Sequence, residues 1–371
     1  MVKNMSGLSR ELIIHPGETL KEVLEEREMS QRELAMRTDV TEAHISNVVN
    51  CQKSISVTFA KKLEYALGVD ASFWINLQAN HDKELADFEE LNAISSEELE
   101  ILERLKSIVK HLQQIGIIDQ GVRGSMFVIQ LRKLLNVSSL KRIPEVSQAT
   151  GAYRLATATN VDPYVLFTWL RMCDLMTDYQ QIEQELDTDE LKKKLPLLKE
   201  LMFEDVDKIQ SKLKTYFAEC GIKFSLAKHF RGAPVQGVIK KNSDGTLGLI
   251  LTIRRKFADI FWFTLFHEVG HIINGDIEDK LIDYEFTKSE AEDRADEFAA
   301  NVLIDSEKYE QFMKRGDYSL RCIKPFSAEQ NIPPYILIGR LQKDRHLKYH
   351  QLIRQAADRH YRLYPGSEKH F

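Results

Sequence analysis

The chain has 371 residues, 43% apolar and 29% charged, with a formal charge of −5. That length holds two or three domains, and the charge excludes a broadly basic nucleic-acid or membrane surface, so any DNA contact must be local. No apolar stretch reaches membrane-spanning length and the start lacks a secretory core. The four cysteines (Cys51, Cys173, Cys220, Cys322) are scattered without a Cys-x-x-Cys pair, so the expectation is a reduced, cytoplasmic protein.

The first eighty residues read as a run of short helices. Thr19 to Glu28 is helical, and Ser30-Gln-Arg-Glu33 is a capping box opening a second helix, Gln31 to Arg37. Thr38-Asp-Val40 makes a tight turn. Thr41 caps a third helix to Asn50, and Ile55 to Leu67 forms a fourth, stopped by Gly68. Leu34, Ala35, Val40, Ile45, Val48 and Val49 fall where two crossed helices need a small shared core. The segment from His15-Pro-Gly-Glu-Thr-Leu20 through Trp74 resembles the HigA-like branch of the Xre/Cro helix-turn-helix family.

The resemblance implies operator DNA as a partner, with the third helix entering the major groove N-terminus first. Thr41, Glu42, Ala43, His44, Ser46 and Asn47 are then the candidates for base or backbone contact, and Gln31 and Lys53 the candidates for phosphate. Residues 1–80 hold nine Lys/Arg against eleven Asp/Glu. DNA affinity is therefore expected to need a homodimer and a local recognition face rather than net charge, the alternative being that this domain binds protein instead.

The middle of the chain is helical. Leu91 to Ile115 has helical periodicity and reads either as an arm or dimerisation helix or as a helix packed on the next domain. Glycines at 116, 121 and 124 interrupt it. Further helices are expected at Gly124–Leu135, Arg142–Thr150 and Asp162–Met176, with Trp169 in a core. Asp187 to Lys199 is a solvated helix or boundary. From Met202 the pattern changes: Lys208 to Glu219 is helical and Ile222 to Leu226 alternates as a strand. Val235–Lys240 and Leu247–Ile253 flank the hairpin signal Asn242-Ser-Asp-Gly-Thr246, which predicts a short antiparallel sheet. Its edge strand would suit an extended peptide, though the sequence does not say which strand that is.

The apolar run Ile260-Phe-Trp-Phe-Thr-Leu-Phe266 leads straight into His267-Glu-Val-Gly-His271, with Asp259 expected as N-cap and Asn274-Gly275 as the stop. Residues four apart share a helix face, so His267 and His271 can present two imidazoles to one zinc ion. Glu268 stands beside them, placed to take a proton from an activated water. A His or Glu left alone in so apolar a helix would be costly, which favours a metal site over two ordinary histidines. Ser289 to Ile304 reads as an amphipathic helix with Ala291, Ala295, Phe298, Ala299, Val302 and Leu303 inward. On it Glu292 is the candidate third ligand, chosen over Glu290 because Asp296 follows four residues later and can hold an imidazole N–H. Glu290, Asp293 and Glu297 belong to a solvated face.

His267-Glu-Val-Gly-His271 with Glu292-x-x-Ala-Asp-x-Phe-Ala299 resembles the ImmA/IrrE family of zinc metallopeptidases, as do the preceding Phe261–Phe266 run and Ile338-Gly-Arg-Leu-Gln342. Arg294, where a second acidic residue is common, and Asp305, where Pro is common, depart from that pattern. The resemblance implies Zn2+ and a peptide or protein substrate of the helix-turn-helix repressor type. The oxyanion donor is left open among Tyr284, His346, His350 and a group positioned by the substrate.

The expected fold is mainly α with a smaller α+β part: a helix-turn-helix bundle over 1–80, a helical region over 81–201 and a zincin-like domain over 202–371. The expected function is a DNA-binding, antitoxin-like regulator carrying a zinc endopeptidase that cleaves a regulatory protein or itself. The alternative is an antitoxin or repressor whose peptidase domain only senses metal or binds a partner, with a HigB-like toxin as a further partner.

Overall fold

The structure, a computed structural model, describes residues 10–149, 161–253, 257–277, 280–284, 289–349 and 351–352. The chain divides into two compact units, Met1–Glu100 with Val122–Gln130, and Ile101–Gly121 with Leu131–Phe371.

In the first unit, side-chain caps set the helix starts. His15 Nδ1 accepts from Gly17 N at 2.9 Å and opens α1 (Pro16–Glu26); Ser30 Oγ accepts from Glu33 N at 3.1 Å and opens α2 (Gln31–Thr38). Asp39, left-handed at φ 49°, turns the chain into α3 (Glu42–Val49). Then follow α4 (Val57–Leu67) and α5 (Ala71–Asn92). Leu20, Leu34, Ile45, Val48, Leu63 and Trp74 are wholly buried between these helices, each contributing about 1.5–3 kcal/mol by leaving water. α1 meets α3 at Gly17, where a Cβ would lie 1.9 Å from the Val48 carbonyl oxygen.

The continuous helix expected over Leu91–Ile115 is broken. α5 ends at Asn92 and α6 runs Ser96–Gln114, because Ser95 Oγ accepts from Glu98 N (3.4 Å) and starts a new helix. Ile101, Leu105, Ile108, Val109 and Leu112 are all buried, so α6 packs rather than projecting as an arm. α7 (Met126–Leu135) and α8 (Ile143–Ala149) follow; Thr150 lies outside the described residues.

In the second unit α9 (Pro163–Asp178) is capped by Asp162 and buries Trp169 completely, with its Nε1 donating to the Lys228 carbonyl at 3.0 Å. α10 (Thr188–Glu200) and α11 (Val206–Ala218) lead into β1 (Ile222–Lys228), β2 (Val235–Lys241) and β3 (Leu247–Ile253), with β4 (Lys280–Tyr284) coming later. The sheet order is β1-β3-β2-β4. The hairpin β2–β3 forms as expected, but the sheet is mixed rather than wholly antiparallel. β3 inserts between β2 and β1 and so runs parallel to β1, an arrangement that local turn signals do not encode. A register shift between Val235 and Gly237 marks a bulge on β2 where it meets β4.

α12 (Ala258–Asn274) packs on β2, β3 and α13 (Glu290–Leu303). Its N-cap is Phe257, not Asp259; Asp259 sits in the first turn, buried. It packs on Gly339 of α16 (Pro334–Lys343), where a Cβ would come within 2.3 Å of Asp259 Oδ2. α14 (Ser306–Arg315), whose N-cap is Asp305, and α15 (Leu320–Glu329) complete the unit. Among the described residues no helix is long and apolar enough to cross a membrane.

Candidate metal centre and DNA-reading face

α12 is apolar nearly all round, as a helix enclosed by other elements must be. Phe261, Trp262, Leu265, Phe266, Val269 and Ile272 fill its surroundings. Into this shell the sequence places His267, Glu268 and His271, all buried. α13 lies directly against α12 because residue 270 is glycine: a Cβ there would come 3.1 Å from Phe298 Cδ1 and 3.2 Å from Ala295 Cα. Ser289 starts α13 by accepting from Glu292 N at 3.3 Å, which fixes Glu292 in the first turn.

The result is a tight triangle. His267 Nε2 lies 3.1 Å from His271 Nε2 and 3.1 Å from Glu292 Oε2, and His271 Nε2 lies 3.5 Å from Glu292 Oε1. A tetrahedral zinc with bonds of about 2.0–2.1 Å sets its ligands roughly 3.3 Å apart, so this donor set fits such an ion in spacing and in chemistry. Both outward ring nitrogens face carboxylates: His267 Nδ1 is 2.9 Å from Asp296 Oδ1, and His271 Nδ1 is 3.1 Å from Asp276 Oδ2. Each imidazole is thereby oriented with Nε2 toward the triangle.

Burial works to raise the Glu292 carboxyl, but hydrogen bonds with His267 and His271 outweigh it and bring it down to about 2. Asp296 is also lowered, its burial overcome by the bond to His267 and the nearby Lys343 charge. Lys343 Nζ is 3.5 Å from Asp296 Oδ2 and lies 4.2 Å from the centre of the Phe263 ring.

Glu268 is fully buried, with its carboxylate over Gly237 of β2. A Cβ at 237 would lie 1.8 Å from Glu268 Oε1, so the strand must carry glycine there for Glu268 to fit. Three of these neighbours were not foreseen: Asp276, Lys343 and Gly237. Asp276 had a local signal. It follows the helix stop Gly275 (φ 74°), and the chain reversal bonds its N–H to the His271 carbonyl at 3.1 Å. Arg294, the departure noted in the sequence, donates to Asp276 Oδ1 at 2.6 Å. Lys343 and Gly237 come from elements distant in sequence and had none.

Of the three residues considered as oxyanion donors, His346 is exposed and packs its ring on Tyr318 at 5.6 Å. The Tyr284 side chain and His350 lie outside the described residues.

At the other end of the chain, Thr41 caps α3, with Oγ1 accepting from His44 N at 3.2 Å. Thr41, Glu42, Ala43, Asn47 and Lys53 are exposed, whereas Gln31, Ser46 and His44 are half-buried. The Asn47 carbonyl accepts from the N–H of Gln52 and of Lys53, which holds the turn after α3. Lys53 Nζ donates to His44 Nδ1 at 3.0 Å, and the His44 ring packs edge-on to Phe59 at 4.8 Å. His44 is therefore turned toward α4, and its pKa is lowered by burial and then by the Lys53 charge.

Comparison with known families agrees with both ends. Residues 20–74 match the family described as "Helix-turn-helix", and residues 255–329 match the "IrrE N-terminal-like domain". Virulence-associated protein I of Dichelobacter nodosus is 35% identical over 75 residues, which is 20% of this chain and 69% of that protein. The chain belongs to the helix-turn-helix family and carries an IrrE N-terminal-like domain. Virulence-associated protein A' of the same organism is 38% identical over 69 residues, 18% of this chain and 60% of that protein. Among solved structures, a putative antidote protein of a plasmid maintenance system from Nostoc punctiforme is 31% identical. That match covers 22% of this chain and 97% of the other, with a TM-score of 0.20. Pseudomonas aeruginosa antitoxin HigA with the higBA promoter is 31% identical over 22% of this chain and 96% of its own, also with a TM-score of 0.20.

Proposed function

We propose that this protein is a DNA-binding transcriptional regulator whose peptidase domain, residues 202–371, is a zinc endopeptidase acting on a regulatory protein or on the chain itself. The carrying observation is the Nε2–Nε2–carboxylate triangle at 3.1, 3.1 and 3.5 Å, backed by a carboxylate behind each imidazole. His267, His271 and Glu292 would hold zinc, which when bound supplies a Lewis acid and an acidified water. Glu268 accepts the proton of the attacking water and returns it to the leaving amine. Asp296 and Asp276 keep the imidazoles in the tautomer that faces the ion. β1 and β4 are the outer strands of the sheet among the described residues, and β4, paired with the β2 that carries Gly237, is the edge we assign to an extended peptide.

In the N-terminal unit Thr41, Glu42, Ser46 and Asn47 meet the major groove, His44 steadies the helix from behind, and Gln31 and Lys53 meet phosphate. Two copies bind a two-fold operator, which compensates for a domain with no net positive charge.

A second reading has its own support. Glu268 and His271 are completely buried, which suits a site that holds metal without turnover, a HigB-like toxin then being a partner met elsewhere on the regulator. The deciding experiment is zinc per chain and cleavage of candidate repressors by wild type and Glu268→Gln. Loss of cleavage with zinc retained supports the endopeptidase. Zinc without cleavage in either protein supports the second reading.

A further inference from the structure

α12 covers one face of the sheet, with Glu268 over Gly237 of β2. α9 covers the other. Its Thr177 lies 3.4 Å from where a Cβ of Gly248 would be, and its Asp174 meets Lys240, the strand partner of Gly248, at 3.4 Å. Residues 237 and 240 are three apart on β2 and so point to opposite faces. A cavity of about 620 Å³ opens where α9 begins, away from the metal triangle. It is lined by Arg104 of α6, by Asp162 and Val165 at the start of α9, and by His229, Arg231 and Pro234 of the β1–β2 connection.

The connection is tied down rather than loose. Asp162 N donates to the Gly232 carbonyl at 2.9 Å, Trp169 Nε1 to that of Lys228 at 3.0 Å, and Ala233 N to that of Phe230 at 3.1 Å. Gly232, at φ 100°, lies so close to α9 that a Cβ would come 2.8 Å from Asp162 Cβ.

The charges in the lining are unevenly committed. Asp162, its one acid, accepts from Tyr164 N at 2.9 Å and Val165 N at 3.3 Å, so it serves the end of α9. Glu103, beside Arg104, pairs with Lys106 at 3.0 Å. Arg104 and Arg231 make no hydrogen bond or ion pair among the described residues; Arg104 is steadied by the Tyr164 ring, 5.7 Å from its Cζ. Two uncommitted guanidinium groups and an imidazole thus face one space.

We infer that this cavity binds a small phosphate monoester, its phosphate on Arg104 and Arg231 and its organic part against Val165 and Pro234. Guanidinium presents paired N–H donors that match phosphate oxygens, and two of them match the double charge of a monoester. Sites that enclose a small molecule run to roughly 300–1,000 Å³, so the volume suits an ester and exceeds what a bare anion fills. The inference is independent of the metal reading.

The test follows binding to the full chain by calorimetry, with ribose 5-phosphate, adenosine monophosphate, inorganic phosphate and uncharged ribose as probes. Both esters should bind and ribose should not. Arg104→Gln and Arg231→Gln, each at an exposed residue, should weaken the esters roughly tenfold to a hundredfold, the usual loss for a hydrogen bond to a charged group. Lys110→Gln removes the same charge from an exposed position of α6 outside the cavity, and should change affinity by less than about twofold because solvent screens it. Unchanged affinity in both arginine variants puts the anion elsewhere, at the DNA-reading face or the metal triangle, and overturns the inference. Inorganic phosphate binding as tightly as the esters also overturns it, since only a bare anion would then be held. So does the absence of binding by either ester.

Discussion

Arg294 Nη2 donates to Asp276 Oδ1 at 2.6 Å, and Asp276 turns its other oxygen to His271. A cation on α13 thus steadies the carboxylate that steadies an imidazole on α12. His267 has the parallel arrangement, with Asp296 behind it and Lys343 behind Asp296. Both candidate histidine ligands are oriented by an acid that is itself held by a base.

From this follows a graded effect on metal affinity. Asp276→Ala should weaken zinc binding by roughly 10–100-fold, the usual cost of removing such a partner. Arg294→Ala should cost less, because its side chain is 53% exposed whereas that of Asp276 is only 6% exposed. Competition with a fluorescent chelator would measure both, and an Arg294→Ala loss larger than that of Asp276→Ala would contradict the chain of support.

Glu268 and Gly237 make a second pair. Glu268→Gln keeps the shape and should leave zinc content and melting temperature close to wild type while abolishing cleavage. Gly237→Ala inserts a methyl where Glu268 Oε1 would be 1.8 Å away. It should destabilise the protein by about 1–3 kcal/mol through overpacking and lower activity by displacing the carboxylate. Chemical denaturation and peptide cleavage, measured on the same preparations, separate the two effects.

The β2–β3 turn gives a pH prediction remote from the metal. Hydrogen bonds from Lys223 and then Thr246 hold Asp244 well below its ordinary 3.8, against a small opposing effect of burial. A lowered folded-state pKa means the contribution is present above that ordinary value and is lost as pH falls below it. Asp244→Asn should therefore cost stability at neutral pH and flatten the loss on acidification below about pH 4. Because Asp244 is half exposed, screening keeps the effect modest. Denaturation at pH 7, 4 and 3 would show it; parallel pH curves for the two proteins would count against it.

On DNA, Lys53 and Asn47 should behave differently. Lys53→Gln should weaken binding about equally on operator and random DNA and reduce the salt slope by about one. Asn47→Ala should cost about 1–3 kcal/mol on operator alone if it reads a base. Thr41→Ala should in addition remove the α3 cap, lowering stability by about 1 kcal/mol. Fluorescence anisotropy over a salt series, with a melting curve for each variant, resolves the three.

Much of this was legible in the sequence because its signals are local. The capping residues Ser30 and Thr41, the stops at Gly68 and Gly275, and the four-residue spacings of His267 with His271 and of Glu292 with Asp296 act within one helix. Even Arg294, read at first only as a departure, stands on the same helix as Glu292 and Asp296. What was not legible depends on elements far apart in the chain. β3 entering beside β1, Lys343 reaching Asp296 and Gly237 making room for Glu268 all require the assembled fold. Asp259 and Ser95 are nearer misses. The first looks like a cap but is drawn into the core against Gly339, and the second caps a helix in a stretch whose periodicity ran on without a break.

Gly270, on the helix that bears both histidines, faces the helix that bears Glu292, and neighbours at 3.1–3.2 Å leave no slack for a methyl group. The smallest residue therefore sets how closely Glu292 approaches the two imidazoles. With Gly270→Ala, α13 must retreat by a few tenths of an ångström and take Glu292 away from the imidazoles. The donor set would then suit an ion with longer bonds, so the expected outcome of Gly270→Ala is a preference moved from zinc toward larger divalent ions such as manganese, by a change at a position outside the donor set.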